Sequence, residues 1–196
     1  MLRHLRAHLL LLPLTVLIGA VLYPLAVLAV GQVAFRHTAN GSIVTGPDGN
    51  PVGSSQIAQE FKDNRWFRPR PSGVSYNAAG SGGSNLSANN PKLRERVEAD
   101  LATLPTDAGS IPADAVTTSG SGLDPHVTEA NARLQQPRVV AGWVKRTGKP
   151  EPEVRKDVEA ALAAALFRPL FGVVAQEPIV NVLELNLALA RRFAGR

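Results

Sequence analysis

Residues Thr117-Thr118-Ser119-Gly120-Ser121-Gly122-Leu123-Asp124-Pro125-His126 bring hydroxyls, a carboxylate and an imidazole into one short stretch. Read as catalytic chemistry, Ser119 or Ser121 is a nucleophile, His126 its base and Asp124 the group that orients the base. Spacing argues against this, because triad partners need converging geometry and Asp124 and His126 are two residues apart with Pro125 between them. The competing reading is a tight loop in which Gly120 and Gly122 supply the turns and Asp124-Pro125 begins the following helix. Its amides and hydroxyls would then hold an anion or a polar backbone segment.

A second Gly/Ser loop, Gly80-Ser81-Gly82-Gly83-Ser84-Asn85-Leu86, echoes the signature loop of ATP-binding-cassette proteins. Such a loop works against a P-loop. The nearest imitation here, Gly142 to Pro150, is one residue too long and places Pro150 where Ser or Thr should bind magnesium. No Asp-Lys-Thr-Gly-Thr segment offers an aspartyl-phosphate either, so the chain is not expected to hydrolyse ATP by itself. In a third segment Arg65, Arg68 and Arg70 surround Trp66 and Phe67, with Pro69, Pro71 and Ser72 following. Arginines in that setting can stack on rings or clamp carboxylates. The packing alternative puts the aromatics in the core and the arginines on carbonyls or in solvent.

The elements that must position these groups are mostly helical. Asn90-Pro91 is an N-cap followed by Pro at N1, and Leu93, Val97, Leu101 and Leu104 form an apolar face that Pro105 ends. Thr128 caps a second helix, which Pro137 is expected to interrupt before Val139, Val140 and Trp143 carry it to Thr147-Gly148. A third runs from about Glu151 to Leu166, with Val154, Val158, Ala161 and Leu162 at helical spacing. Residues 179–189 alternate Leu183, Leu185 and Leu187 with Glu184 and Asn186, which predicts a strand first and a helical turn after it. Gln56 to Phe61 fits one helical turn or a strand. These elements make an α/β (mixed α+β) domain.

Ahead of that domain, residues 9–30 carry no formal charge and follow Arg3, His4, Arg6 and His8. That length crosses a bilayer as a helix, and the preceding basic residues keep residues 1–8 in the cytoplasm and residues 31–196 outside. Pro13 and Pro24 fall on nearly one helix face, and Thr15 and Gly19 form a small-residue notch where another helix can approach. The alternative is a cleaved secretory signal ending near Ala29-Val30-Gly31.

Composition narrows the function classes. Lys plus Arg number 21 against 16 Asp plus Glu, and Arg3 and Arg6 supply part of that excess, so the outer domain is only mildly basic. No basic run with interleaved aromatics supports nucleic-acid binding. The absence of cysteine removes disulfides and thiol-based metal or redox chemistry.

Taken together, several of these segments resemble one family, the C subunit of the Kdp-type potassium-transporting ATPase. The likeness rests on the N-terminal span, Gly53-Ser54-Ser55-Gln56-Ile57, Phe67, Arg70-Pro71-Ser72, Ser81-Gly82-Gly83-Ser84-Asn85-Leu86 and Asn90-Pro91. It continues through Val116 to His126 and Val180-Asn181-Val182-Leu183-Glu184-Leu185-Asn186, in the family's order over nearly the whole chain. Trp66 stands where tyrosine is common and Val127 where isoleucine is. The resemblance implies a bacterial inner-membrane complex with a potassium-channel-like subunit, a P-type ATPase subunit and a small accessory subunit. ATP and potassium would then be handled by the complex, with no cofactor held covalently by this chain, and its contacts would be those subunits and membrane lipid, not nucleic acid. The family is described both as a catalytic chaperone that raises ATP affinity and as an external cap. On this view Arg70, Pro71, Ser72, Ser81, Gly82, Gly83, Ser84, Asn85, Ser119, Gly120, Ser121, Gly122, Asp124 and His126 are candidates for subunit docking or the ion's approach. Two rival classes accompany it: an external hydrolase, and a membrane-anchored or secreted cell-wall polymer-binding protein with Trp66, Tyr76 and Trp143 as sugar platforms.

Overall fold

A computed structural model describes residues 2–104, 109–173 and 177–194. The chain divides into two compact units, residues 1–43 and 44–196.

The first unit is one long apolar helix and a short extension. Helix α1 (Leu2–Val16) runs through Pro13 into a π-helical stretch, Leu17–Leu22, and continues as α2 (Tyr23–Ala34) and α3 (Arg36–Ala39). Pro24 is the second residue of α2 and directly follows the π-helical stretch, inside the continuous helical run. The widened turn lies between the two prolines and contains Gly19, beside which a Cβ would meet nothing within 4 Å. Thr15 sends its hydroxyl back to the Leu11 and Leu12 carbonyls, so it is polar yet satisfied within its own helix. The span from Arg3 to Ala34 is long and apolar enough to cross a membrane, and none of its most apolar stretch is buried by protein.

The second unit is a helical layer on a small sheet. Strands β1 (Ile43–Thr45) and β2 (Pro51–Ser54) make a two-stranded ribbon, and β3 (His126–Thr128) pairs antiparallel with β4 (Ile179–Asn181). Val127 faces Val180 in that register, and Phe167 extends the sheet by exchanging both backbone hydrogen bonds with Ile179. Helices α5 (Glu129–Thr147), α6 (Glu151–Ala165) and α7 (Val182–Ala194) cover it. Val139, Val140, Val154, Val158, Leu162, Leu185 and Leu189 join Val127, Val180 and Phe67 in one core. Helix α4 (Pro91–Leu101) contributes no fully buried residue.

Local signals explain the helix ends. Asn90 accepts the Lys92 amide at 3.0 Å to open α4, and Thr128 accepts the Asn131 amide at 3.1 Å to open α5. Gly148 closes α5 at φ 70°, donating to the Val144 carbonyl.

Four expectations change. Pro137 does not interrupt α5: Pro137 and Arg133 are both exposed, so the carbonyl it frees lies on the water side, while Ala132 before it and Val139, Val140 and Trp143 after it enter the same core. The strand at residues 179–189 ends at Asn181, because α7 is buried on most of its circumference and Leu183 to Leu187 alternate only by coincidence. Residues 56–61 are irregular, neither a helical turn nor a strand. Helix α4 stops at Leu101, which is exposed, and Leu104 lies in the turn that follows; Pro105, read as the stop, lies outside the described residues.

Candidate functional site

The two Gly/Ser loops and the Arg70 segment, separated by up to 50 residues in sequence, are knitted into one junction. Ser72 donates from its hydroxyl to the Gly122 carbonyl at 2.6 Å and accepts the Val74 and Tyr76 amides. The Gly82 amide and the Ser81 hydroxyl both donate to the Ser121 carbonyl, at 2.8 and 3.2 Å. Glycine is required where these strands of backbone touch. Gly122 has φ 69°, and a Cβ there would stand 2.6 Å from the Gly82 oxygen. Between the other two loops, a Cβ on Gly73 would stand 2.9 Å from Gly83 and Ser84 backbone atoms. Asn85 takes φ 51°, a left-handed conformation that asparagine tolerates. Pro71 and Ser84 are half-buried, whereas Gly120 is exposed with open space around it.

Charges gather at the edge of this junction. The Arg70 guanidinium lies 3.6 Å from Asp124 Oδ2 and donates to the Thr118 carbonyl at 3.2 Å and the Thr117 carbonyl at 3.4 Å. Asp124 Oδ1 receives the His126 amide at 3.0 Å and lies 3.1 Å from His126 Nδ1. The His126 ring stands edge-on to Phe167, 5.6 Å between centroids. Tyr76 donates its phenol to the Arg70 carbonyl at 2.9 Å, and burial pushes that phenol up to about 12.

Burial alone would raise the Asp124 carboxyl, but the His126 hydrogen bonds and the Arg70 charge together hold it below the usual carboxylate range. A lowered folded value means that its stabilisation is complete above the unfolded value near 3.9 and is lost as pH falls through the folded one. Asp124→Asn is therefore expected to flatten the acid limb of a stability-versus-pH curve below about pH 4 and to leave its shape near neutrality unchanged. Urea unfolding between pH 2.5 and 7 checks this, and an unaltered acid limb refutes it.

The hydrolase geometry is not assembled. Ser121 Oγ accepts the Leu123 amide at 3.1 Å, and the buried Ser119 Oγ accepts the Asp124 amide at 3.4 Å, so both hydroxyls serve the loop's own backbone. Asp124-Pro125 does not begin α5 either, since β3 intervenes and α5 starts at Glu129. The sugar-platform reading fails on packing: Trp143 is buried, Trp66 stands edge-on to it at 5.1 Å, and the Tyr76 hydroxyl is taken by Arg70. The packing reading of the 65–70 segment holds in part. Phe67 is buried and Arg68 donates to the Lys62 carbonyl, but Arg65 stacks over the Trp66 ring at 4.8 Å and Arg70 faces the Asp124 carboxylate, which the packing reading did not include.

Some supporting residues carry no local sequence signal. Asp114 accepts both the amide and the hydroxyl of Thr128, at 2.8 and 3.1 Å, and so fixes the α5 cap to the loop that precedes it. Asn186 and Gln135 clamp the backbone of Phe67 and Arg68. Long-range partners of this kind have no spacing rule. The transmembrane candidates Pro13, Thr15, Gly19 and Pro24 belong to the other unit.

Fold and site together define a class: a small mixed α+β domain preceded by one apolar helix, with an interlocked polar loop junction. Residues 5–191 match the family "K+-transporting ATPase, c chain", and the chain belongs to that family. It is 48% identical to the potassium-transporting ATPase KdpC subunit of Caulobacter vibrioides strain NA1000, covering 98% of this chain and 95% of that one. It is 44% identical to the Pseudomonas putida F1 subunit of the same name over 96% of each chain. Against the Caldanaerobacter subterraneus subunit it is 45% identical over 89% of this chain and 87% of the other.

Proposed function

We propose that this chain is a non-catalytic accessory subunit of a high-affinity, ATP-driven potassium-uptake complex, holding a channel-like subunit, a P-type ATPase subunit and a small accessory subunit in one assembly. Residues 9–30 cross the plasma membrane once, with residues 1–8 in the cytoplasm and the folded domain outside. Arg3 and Arg6 before the span support that orientation. The family match begins at residue 5, so the apolar helix is part of what defines the family, which favours a retained anchor over a removed leader. The notch at Thr15 and Gly19, beside Pro13 and Pro24, is where companion helices pack.

One observation carries the docking role: the hydroxyls of Ser72, Ser81, Ser119 and Ser121 bond the backbone of the three loops themselves. A surface ordered in advance loses little conformational entropy when a partner binds, which suits assembly better than turnover. On this orientation the domain cannot touch cytoplasmic ATP. Any rise in the nucleotide affinity of the ATPase subunit passes through the assembled complex, and potassium approaches near Asp124 before it reaches the channel-like subunit.

The test is co-purification of the tagged full-length chain with its companions, together with potassium affinity of the isolated complex. Arg70→Ala and Asp124→Asn are expected to lower complex yield or potassium affinity about three- to tenfold, the scale for breaking a partly shielded charge pair at an interface. Unchanged yield and affinity in both variants would reduce the junction to internal scaffolding. Protease digestion of oriented vesicles checks the sidedness, and cleavage of the domain only from the cytoplasmic face would overturn it.

A further inference from the structure

Away from the loop junction, two clefts share Arg65 and Arg146 as a common wall. Their volumes, about 550 and 640 Å³, are in the range of ligand sites. Lys62, Arg65, Arg138, Lys145, Arg146, Lys149 and Arg192 line them, against one lining carboxylate, Asp63. Lys145 and Arg146 fall in the last turn of α5, where cations complement the helix dipole, but the others come from the loop before Trp66, the middle of α5, the α5–α6 turn and α7. Dipole compensation therefore explains only two of the seven.

Neutralisation is incomplete. Lys62 lies 3.3 Å from Glu60 and Arg65 3.4 Å from Asp63, Lys149 pairs with Glu153 and Arg192 with Asp157. Arg138 spends its guanidinium on the Asn64 and Trp66 carbonyls and the Gln135 amide oxygen. Lys145 and Arg146 are exposed and have no carboxylate within salt-bridge distance among the described residues. The first cleft also has an aromatic wall of Trp66, Trp143 and Phe193. Trp143 is 4% exposed, and its indole N–H has no acceptor among the described residues. A buried donor without a partner is the kind of group that an incoming acceptor relieves.

We propose that the two clefts form one docking groove for an extended acidic polypeptide segment of a companion subunit. This inference rests on the reading of the chain as part of a larger assembly. Charge complementarity selects an acidic partner. Continuity selects an extended one, because a single small anion fills one cleft, whereas positive charge runs across the Arg65 and Arg146 wall into the second. Carboxylates of the segment pair with Lys145 and Arg146, and an apolar or carbonyl-bearing residue covers the Trp143 edge.

Trp66 and Trp143 are the two tryptophans of the chain, so its intrinsic emission reports on this groove. The full-length chain in neutral detergent is titrated with hexaglutamate. The expected result is a saturable change in emission that weakens at least tenfold in the double variant Lys145→Glu/Arg146→Glu and at raised salt. Lys156→Glu, an exposed charge reversal on α6, is expected to leave it unaltered. A flat titration overturns the proposal, as does equal weakening by Lys156→Glu. Equal saturation by inorganic phosphate, which would make this a small-anion site, also overturns it. So does a response confined to phosphatidylglycerol vesicles, which would make it a lipid site. Co-purification of the wild-type chain keeps the two readings apart: with companions recovered and the titration flat, the groove falls and the assembly role stands.

Discussion

Replacing Asn186 by alanine is expected to destabilise the protein by about 3 kcal/mol, an effect usually associated with loss of a large core side chain. Asn186 is buried on α7, and its amide faces the backbone of Phe67, accepting the Phe67 N–H and donating to the Phe67 carbonyl, both at 2.9 Å. Phe67 is 0% exposed, so no water can replace either bond. Alanine strands two buried backbone groups, each costing about 1–3 kcal/mol. Asn186→Asp keeps the acceptor but loses the donor and puts a charge against the Phe67 carbonyl. Burial would raise that carboxyl above its unfolded value near 3.9, so the variant is weakest at neutral pH and recovers as pH falls toward that value. Gln135, which treats Arg68 the same way at 2.7 and 2.9 Å, is expected to show a smaller loss on truncation, because Arg68 is only half-buried. Thermal unfolding of the full-length chain in detergent measures all three. A loss below about 1 kcal/mol for Asn186→Ala would mean that the Phe67 backbone finds other partners.

Gly142→Ala gives the second large effect, with the opposite sign from its local propensity. Gly142 lies inside α5, where alanine normally gains up to about 1 kcal/mol over glycine. Here a Cβ would stand 2.5 Å from the Arg65 nitrogen, 2.6 Å from its Cα and 2.8 Å from the Asn64 carbonyl carbon. All three are backbone atoms, so no rotamer change makes room. The expected result is a net loss of about 2 kcal/mol, an overpacking cost at the top of the usual range of about 1–3 kcal/mol less the propensity gain. A shift in tryptophan emission should accompany it, since Arg65 lies over both indole rings at 4.8 and 5.6 Å. The neighbouring Ala141 is exposed, so Ala141→Gly should cost only about 1 kcal/mol by propensity. Stabilisation by Gly142→Ala would show that the Asn64–Arg65 backbone is free to withdraw from α5.

Both effects depend on the irregular segment around Phe67, and its chemistry was partly legible in advance. Two prolines near two aromatics and three arginines indicated an extended piece with its rings inward and its cations on carbonyls. That is how Phe67, Arg68 and Arg70 are placed. Which helices would receive the segment was not legible. Asn186 lies 119 residues from Phe67 and Gln135 lies 67 from Arg68, and no periodicity links them. The same limit explains the misreading of residues 182–189. Alternating leucines suit a strand with one wet face, and only burial from several sides lets a helix carry them with Asn186 turned inward.

Local rules were sufficient wherever the deciding contact lay within one turn. The Asn90 and Thr128 caps, the Gly148 stop, the apolar faces of α5 and α6, and the long uncharged N-terminal helix all follow from neighbours in sequence. So does family membership, because the Ser119 to His126 segment and its companions keep their order along the chain. Tertiary structure decided three matters that a linear reading left open. Core burial on both sides carries α5 across Pro137, the loops of Ser72, Gly82 and Gly122 close into one junction, and the Ser119 and Ser121 hydroxyls go to amides. The Ser119 and Ser121 bonds stay within their own loop, five and two residues apart, and the physical reason is common to the other two. Hydrogen bonds and close contacts between distant segments outweigh local preference once water is excluded, and sequence spacing carries no record of which segments will meet.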